Sequence, residues 1–357
     1  MAAVTPDRSK LVRSLSTAEE HWSSLRYYPT AMTRTAFVTG GTGFIGINLI
    51  ELLVSEGWDV TALHRPTSNL SYLKRSPIKL VEGSITDRAS LDRAIPRGTE
   101  VVFHVAGDTS FWSKKNAQQN AINIDGTRNM VEVSAAKGVE TFIHTSSNSV
   151  WGRATGVITE ETPSQGKSSW INYERSKHLG EIEALKGVKL GMKVVVLNPG
   201  DVLGPYDSNN WGRLFFLLRD GALPAVGPSV VSPTHVRDVV RAHLAAVDKG
   251  RNGERYLLAG DEHELVELAA EMAALSGAKV PRKAPMWVLK AFGRLSVMLA
   301  ALTGKEPEVT PELAEVAASK GTTFRSDKAI RELGYQIQPM SVSVRDTYDW
   351  LVEEGLL

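Results

Sequence analysis

Short apolar runs alternate with longer stretches of helical periodicity along most of the chain, beginning at Thr35. Several of these runs are mainly apolar, which is typical of strands buried on both faces of a parallel sheet. Strands joined by helices in this order predict an α/β fold with a doubly wound Rossmann sheet. The predicted strands are Thr35–Thr39, Val60–His64, Lys79–Glu82, Val101–Val105, Thr141–Thr145 and Lys193–Leu197. Of the four predicted helices, the first ends at Glu56, the second spans Asp87–Ile95, the third ends near Lys137 and the fourth spans Asn172–Lys189.

The alternation of strand and helix patterns stops after Pro199. Residues 200–234 are rich in Gly, Pro, Asn and aromatic residues, which predicts loops around a pocket. Periodic segments return at His235–Lys249, Arg255–Leu258 and Glu264–Leu275. We therefore expect a dinucleotide-binding Rossmann core over residues 32–200. Residues 201–357 are predicted to form mainly a smaller, mostly helical substrate-binding lobe, with segments that return to the core. The polar residues 1–31 lack a strand pattern and are interpreted as a flexible extension.

Composition excludes several classes of function. The chain has no cysteine, so disulfides, thiolate nucleophiles and cysteine-based metal sites are excluded. Its net charge of +1 gives no electrostatic reason to expect nucleic acid as a partner. No apolar run reaches the roughly 20 residues that span a bilayer, so no integral membrane span is expected. Pro285–Leu302 is interrupted by Lys290 and Arg294 and is interpreted as an amphipathic helix. These features favour a cytoplasmic location.

The most specific local motif follows the first predicted strand. Gly41, Gly43 and Gly46 have the G-x-G-x-x-G spacing, and Gly40 adds a second three-residue spacing. Glycines between a strand and a helix allow a tight turn and close approach of the backbone to a pyrophosphate, which the helix N-terminus then binds. The motif therefore predicts a dinucleotide site.

The end of the second strand bears on which dinucleotide binds. An acidic residue there would bind the ribose 2′-hydroxyl, whereas a basic residue accommodates a 2′-phosphate. The strand is followed by Arg65, and no acidic residue lies between Val60 and Val81. A guanidinium can bind a phosphate through two hydrogen bonds. The sequence thus favours NADP(H) over NAD(H).

Tyr173 and Lys177 are one helical turn apart and share a helix face. A phenol has a pKa of about 10, and a nearby ammonium would lower that pKa and make the tyrosine a usable acid or base. The preceding strand ends at Thr145-Ser146-Ser147, where a serine hydroxyl could hold a substrate oxygen. His104, His144 and His235 lack metal-ligand spacing, so no metal is expected.

Together these motifs resemble the extended short-chain dehydrogenase/reductase family over roughly residues 33–350. The resemblance rests on the glycine turn, His104–Gly107, Asn123–Thr127, Thr145–Ser147, Tyr173–Lys177 and Asn198–Gly200. It implies Tyr173 as the acid or base, Lys177 as the residue that holds the nicotinamide ribose, and Ser147 as the residue that polarises a carbonyl, with Ser146 as the alternative. The residues expected to contact the cofactor are Gly40, Thr42, Gly43, Phe44, Ile45, Gly46, Arg65, Ser84, Ile85, Val105, Ala106, Gly107, Asn123, Tyr173, Lys177, Pro199, Gly200 and Val202. Ser84 stands where the family usually has aspartate.

Two branches of the family differ in substrate. Enzymes of nucleotide sugars commonly have an Arg-Asp pair where this chain has Val231 and Ser232. Losing a charge-assisted diphosphate contact would cost about 1.5–3 kcal/mol, which weighs against a nucleotide sugar. Aromatic residues that suit an apolar ligand, about half of them expected in the core, are Phe111, Trp112, Trp151, Trp170, Trp211, Phe215 and Phe216. We therefore expect NADP(H)-dependent reduction of a ketone or aldehyde on an apolar, dihydroflavonol- or steroid-like molecule.

Two alternatives remain at this point. One is a nucleotide-sugar epimerase or dehydratase that uses bound NAD. The other is a non-catalytic dinucleotide sensor that recruits a partner protein, against which the complete set of Ser147, Tyr173 and Lys177 argues. The resemblance also implies a homodimer formed through the helices after Lys115 and Asn172.

Overall fold

A seven-stranded sheet forms the centre of the molecule, with the strand order β12-β7-β5-β4-β1-β2-β3. All neighbouring strands in it run parallel. β1 lies between β2 and β4, so the strand order reverses there and leaves a crevice at the carboxyl ends, where such sheets bind ligands. The strands of this sheet are β1 Thr35–Thr39, β2 Asp59–His64, β3 Lys79–Glu82, β4 Val101–His104, β5 Thr141–Thr145, β7 Lys193–Pro199 and β12 Glu254–Leu258.

The computed structural model describes residues 33–285, 287–288, 291, 293–294, 296–297, 307, 309–316 and 321–357. The predicted extension at 1–31 and most of the predicted helix Pro285–Leu302 lie outside the described residues. The helices described are α1 Phe44–Ser55, α2 Arg88–Ala94, α3 Asn116–Asn120, α4 Thr127–Lys137, α5 Asn172–Leu185, α6 Arg213–Arg219, α7 Val236–Lys249, α8 Leu265–Ser276, α9 Pro311–Val316, α10 Asp327–Leu333 and α11 Met340–Glu353. None of them combines the length and apolarity that crossing a membrane requires.

Both faces of the sheet are covered by apolar side chains, as the mainly apolar strands predict. On one face, Val38 of β1 packs in a core with α1 and α7, and on the other face Phe37 packs in a core with α2, α4 and α5. Consecutive strand residues point to opposite faces, which explains why adjacent residues enter different cores. The predicted doubly wound Rossmann fold is therefore confirmed.

Residues 200–234, predicted as loops, in fact contain short regular elements. β8 (Asp201–Leu203) and β11 (Pro233–His235) pair in parallel, and α6 lies between them in the sequence. These elements are shorter than the windows over which periodicity is read, which explains why the sequence pattern missed them. The other short strands are β6 Gly156–Ile158, β9 Ala225–Val226, β10 Val230–Val231, β13 His263–Glu264, β14 Arg282–Lys283 and β15 Thr322–Phe324.

A third core lies in the later part of the chain. Phe215 of α6, Leu268 of α8 and Leu351 of α11 pack together in it, with Leu203 of β8. α7 and β12 also come after residue 201 but join the central sheet and its first core. Residues Thr35–Leu357 form a single compact unit, so the division into a core at 32–200 and a lobe at 201–357 stays a prediction.

Candidate active site

The glycine turn between β1 and α1 leaves no room for side chains. Gly40 has a φ of 72°, and a Cβ atom there would lie 2.6 Å from the backbone N of Ala106. A Cβ on Gly46 would lie 2.1 Å from the carbonyl O of Gly40. Gly43 caps α1, and its N–H donates to the Gly40 carbonyl at 2.9 Å. Only glycine fits this close passage of the backbone.

The N-terminus of α1 is suited to a phosphate. The first turn of the helix contains Phe44 and Ile45 and no acidic residue, so its free N–H groups and positive dipole end are not neutralised. This open helix end and the glycine cradle beside it fit the pyrophosphate of a dinucleotide. Thr42 lies on the same turn.

The other predicted cofactor residues follow the ends of the strands. Val105, Ala106 and Gly107 come directly after β4, and a Cβ on Gly107 would lie 3.6 Å from Nζ of Lys177. At the far side of the crevice, Pro199 ends β7, and the Gly200 N–H donates to the Leu258 carbonyl at 3.0 Å. Val202 lies on β8.

Ser84 and Ile85 follow β3. The Ser84 hydroxyl is hydrogen-bonded to the Thr86 hydroxyl at 2.8 Å, and the Ile85 carbonyl accepts a bond from the Asn129 side chain at 3.0 Å. Ile85 is buried against Gly126, where a Cβ would lie 2.7 Å from its Cδ1 atom. The positions of these residues agree with the predicted site, while their contact with a cofactor stays a prediction.

Arg65 is exposed at the first position after β2. Its backbone makes a tight turn with Ser68, because its N–H donates to the Ser68 hydroxyl at 3.2 Å and its carbonyl accepts the Ser68 N–H at 3.0 Å. No carboxylate pairs with its guanidinium in the part of the chain that the structure describes. The group is therefore available for an anion.

Ser147, Tyr173 and Lys177 meet at the carboxyl end of β5. The Lys177 ammonium is buried and donates to the Thr145 carbonyl at 2.8 Å. The Ser147 hydroxyl accepts the Ser149 N–H at 3.1 Å and is also hydrogen-bonded to the half-buried phenol of Tyr173. The residues that the sequence predicts as catalytic thus form one cluster at the carboxyl edge of the sheet.

The electrostatics of this cluster differ from the prediction. Burial lowers the pKa of Lys177 to about 8, and the nearby Glu181 partly opposes this shift. The pKa of Tyr173 is raised, mainly by burial, although the hydrogen bond with Ser147 acts in the opposite direction. The carboxylates of Asp108 and Asp201 add to the increase in its pKa. The predicted lowering of the Tyr173 pKa is therefore wrong for this arrangement, because burial dominates and Lys177 is not among the groups that shift this pKa.

A buried chain of polar side chains holds Ser147 in place. Asn198 donates to the Ser147 carbonyl at 3.0 Å and also to the carboxylate of Glu181. Glu181 is fully buried and accepts a further bond from Nε of Arg255 at 2.8 Å. A buried carboxylate is stable only when it is paired and hydrogen-bonded in this way.

Asn123 lies in a π-helical turn, Ala121–Gly126, that interrupts the helix predicted to run unbroken to Lys137. Its amide oxygen accepts the Asp108 N–H at 2.8 Å, and its amide nitrogen donates to the Asp108 carbonyl and the Ser176 hydroxyl, both at 3.0 Å. Asn123 therefore ties the loop after β4 to α5, the helix of Tyr173. Such π turns recur at functional sites.

The sequence analysis missed Asp201, which lies directly after the Asn198–Gly200 motif. Its carboxylate accepts the Ser232 N–H at 2.7 Å, and burial raises its pKa to about 6. Asp108 was missed as well, although it follows the predicted residue Gly107. No motif marks either residue, since an acidic residue after a strand is ordinary in sequence.

The seven aromatic residues divide between the site and the cores. The ring of Phe111 contacts that of Tyr173 edge-to-face, with centroids 5.1 Å apart. Trp112 is half-buried nearby in sequence, and Trp170 is 55% exposed. Trp151 and Phe215 are buried in cores, and Trp211 and Phe216 pack against the third core. Phe111 is the ring for which the described contacts show an approach to the catalytic cluster.

The histidines singled out in the sequence are structural. Burial, and to a smaller extent Lys177, lowers the pKa of His104 to about 3, and its ring is hydrogen-bonded to Thr39 and Thr127. His144 stacks on His104 with ring centroids 5.4 Å apart. His235 caps α7 and is hydrogen-bonded to Asp346. Within the described residues, no group of acidic residues and histidines could hold a metal ion.

Comparisons with known proteins identify the family of this chain. The model of the NAD dependent epimerase/dehydratase family matches residues 36–259. A putative dihydroflavonol 4-reductase of Synechocystis sp. is 29% identical over 334 residues, which cover 91% of this chain and 96% of that protein. A 3 beta-hydroxysteroid dehydrogenase/Delta 5-->4-isomerase of Mycobacterium tuberculosis is 26% identical over 323 residues, which cover 84% and 85% of the two chains.

The solved structure of gox2253 superimposes with a TM-score of 0.77 and 30% sequence identity, covering 91% of this chain and all of that one. The predicted resemblance to the extended short-chain dehydrogenase/reductases is thus confirmed. The chain belongs to the NAD-dependent epimerase/dehydratase family and is an NAD(P)-dependent oxidoreductase.

Proposed function

We propose that this protein reduces the carbonyl group of an apolar ketone or aldehyde with NADPH. The observation that carries the proposal is the meeting of Ser147, Tyr173 and Lys177 beside the glycine turn, at the crevice of the sheet. A nicotinamide dinucleotide bound there supplies the hydride. The relatives named as a dihydroflavonol reductase and a steroid dehydrogenase support an oxidoreductase of this kind.

The three residues have distinct parts in the reduction. The Ser147 hydroxyl donates a hydrogen bond to the carbonyl oxygen and polarises it. The Tyr173 phenol gives its proton to that oxygen as the carbonyl carbon is reduced, which leaves a neutral alcohol. The Tyr173 phenol, whose pKa is raised, is protonated at neutral pH and therefore carries the proton that the reduction needs. Lys177, held on the Thr145 carbonyl, places an ammonium where it binds the ribose and stabilises the phenolate that forms.

NADPH is preferred in this proposal because of Arg65. Its guanidinium lies at the end of β2, is exposed, and has no carboxylate partner among the described residues. A guanidinium in this place suits the 2′-phosphate, which distinguishes NADPH from NADH.

Two features near the catalytic cluster favour an apolar substrate. Phe111 packs on Tyr173 and offers an aromatic wall beside the reacting group. Where sugar-nucleotide enzymes commonly have an Arg-Asp pair, Val231 is buried in the third core and the Ser232 N–H is bonded to Asp201. Neither residue offers a cation to a diphosphate.

The test is oxidation of NADPH, followed at 340 nm, by purified protein with a panel of aromatic, steroid-like and aliphatic carbonyl compounds. Tyr173→Phe should lower kcat by about 10²- to 10⁴-fold, the usual contribution of a general acid. Tyr348→Phe is the matched control, since no hydrogen bond of its hydroxyl is seen among the described residues and its ring packs on Phe215.

Full turnover by Tyr173→Phe would contradict the role given to Tyr173. If the protein oxidises neither NADPH nor NADH, copurifies with NAD and interconverts a UDP-sugar, the epimerase alternative replaces the reductase.

A further inference from the structure

Asp201 is a carboxylate on the substrate side of the site that the proposed reduction does not use. It begins β8, a strand that pairs with β11 rather than with the central sheet. Its Oδ2 atom accepts the Ser232 N–H at 2.7 Å. Its Oδ1 atom has no hydrogen-bond partner among the described residues. The side chain is half-buried, and this oxygen is free to accept a hydrogen bond from a ligand.

Asp201 is close to the catalytic cluster through Asn148. A Cβ on Gly200, the residue before Asp201, would lie 3.5 Å from the amide nitrogen of Asn148. The amide oxygen of Asn148 is 3.4 Å from the Ser147 hydroxyl. Asp201 also interacts electrostatically with the Tyr173 phenol. Ser147, Asn148 and Asp201 therefore line the same end of the site in succession.

The free atoms of these two residues have complementary chemistry. The Asp201 Oδ1 atom accepts hydrogen bonds, and the Asn148 amide nitrogen donates them and has no partner among the described residues. A hydroxyl group can satisfy both, since it donates one bond and accepts others. An ammonium could bind the carboxylate but would be repelled by the amide donor, and an anion would be repelled by Asp201. The pair therefore selects a hydroxyl.

We propose that Asp201, together with Asn148, binds a hydroxyl group on the carbon next to the reacting carbonyl, so that the enzyme prefers α-hydroxy ketones to matched ketones without the hydroxyl. The adjacent position follows because Ser147 and Asn148 are within hydrogen-bond distance of each other, and the two substrate oxygens that they bind must then be close together. This proposal rests on the proposed carbonyl reduction.

The test compares 2-hydroxyacetophenone with acetophenone, which differ by one hydroxyl on the adjacent carbon. The measured quantity is the ratio of their kcat/KM values with NADPH. Asp201→Leu should lower this ratio at least about tenfold, because a hydrogen bond to a charged group contributes about 1.5–3 kcal/mol. Asp201→Asn, which keeps an acceptor for the Ser232 N–H, is the second variant if the leucine variant does not fold. Asp349→Asn, at an exposed position of α11, is the control and should leave the ratio unchanged.

Dissociation constants of both ketones, measured by NMR titration of wild type and variants, separate this proposal from the proposed function. If the ketones are not reduced but 2-hydroxyacetophenone binds more tightly in an Asp201-dependent way, the reduction is wrong and the hydroxyl site stands. If both ketones are reduced and the ratio is the same in Asp201→Leu, the hydroxyl site is wrong and the reduction stands. Equal binding of the two ketones to the wild type also overturns the hydroxyl site. Tighter binding of 2-aminoacetophenone than of the hydroxy ketone would overturn the choice of a hydroxyl.

Discussion

The cofactor side and the substrate side of the active site are built from different parts of the chain. The side that fits a dinucleotide is formed mainly by backbone atoms. They belong to the turn at Gly40–Gly46, the free N–H groups of α1 and the ends of β1 and β4. On the side where we propose that the substrate binds, side chains on short elements outside the central sheet, Asp201 and Asn148, offer the free hydrogen-bonding groups. A site formed by backbone atoms requires particular residues at a fixed spacing in the sequence, whereas a site formed by side chains does not.

This difference has an energetic side. The glycine turn is packed so closely that an added methyl group would collide with the backbone. Asp201, in contrast, has an oxygen without a donor and a carboxylate whose ionisation is opposed by burial. On the first side, the close packing of the backbone limits which residues fit. On the second side, the cost of burying a charge lowers the stability of the fold.

The largest expected effect comes from adding a side chain to the closely packed glycine turn. Gly40→Ala should destabilise the protein by about 4 kcal/mol, since it combines a left-handed backbone with a Cβ atom 2.6 Å from the backbone N of Ala106. It should also abolish NADPH binding, because the cradle must open to relieve the collision. Urea unfolding and a fluorescence titration with NADPH measure the two effects.

Gly57→Ala is the matched control for that experiment. Gly57 has a similar φ of 79°, but a Cβ there would meet nothing within 4 Å. Its loss should be about 1 kcal/mol, the cost of the backbone conformation alone, with NADPH binding retained. Equal losses in the two variants would show that conformation, and not the close backbone approach, limits the turn.

The next effect comes from removing the charge of Asp201, whose ionisation burial opposes. Burial raises the pKa of Asp201 from 3.8 to about 6, so the folded protein binds a proton more tightly here than the unfolded chain does. The contribution of this group to stability therefore falls as pH rises from about 4 to about 6, and above pH 6 it costs about 3 kcal/mol. Asp201→Asn should thus be more stable than the wild type by about 2–3 kcal/mol at pH 7.

The difference between the two proteins should disappear below about pH 4, where Asp201 is protonated in both states. Urea unfolding of both proteins at pH 7 and pH 4 gives the comparison, and groups common to both cancel. A variant that is less stable than the wild type at pH 7 would mean that Asp201 is satisfied in the fold, which would remove the contrast between the two sides.

The contrast also explains what could be predicted from the sequence. The strands of the central sheet follow from mainly apolar runs such as Val101–His104, and the glycine turn follows from glycine spacing. The cluster of Ser147, Tyr173 and Lys177 followed from spacing within one helix and from the resemblance. All of these signals are local in sequence, and the sheet then brings them together at its carboxyl edge.

What the sequence did not predict depends on contacts between distant segments. Asp201 acquires its raised pKa from burial and its partner Ser232, which is on a loop before a different strand. The raised pKa of Tyr173 likewise depends on burial and on two carboxylates from other segments, Asp108 in the loop after β4 and Asp201 on β8. The π turn at Asn123 depends on packing between α5 and the loop after β4, and no residue pattern within the helix announces it.

The smallest effect concerns Arg65, the side chain to which the proposal gives the choice between NADPH and NADH. Arg65→Gln should lower the ratio of kcat/KM for NADPH to that for NADH by about tenfold, the lower end for loss of a charge-assisted hydrogen bond at an exposed position. The effect should shrink at high salt, because exposed charges are screened. Arg93→Gln, the same change at an exposed position of α2, is the control and should leave the ratio unchanged. If Arg65→Gln also leaves it unchanged, the glycine turn and the helix end bind the dinucleotide without discriminating the 2′-phosphate, and Arg65 has no part in the choice of cofactor.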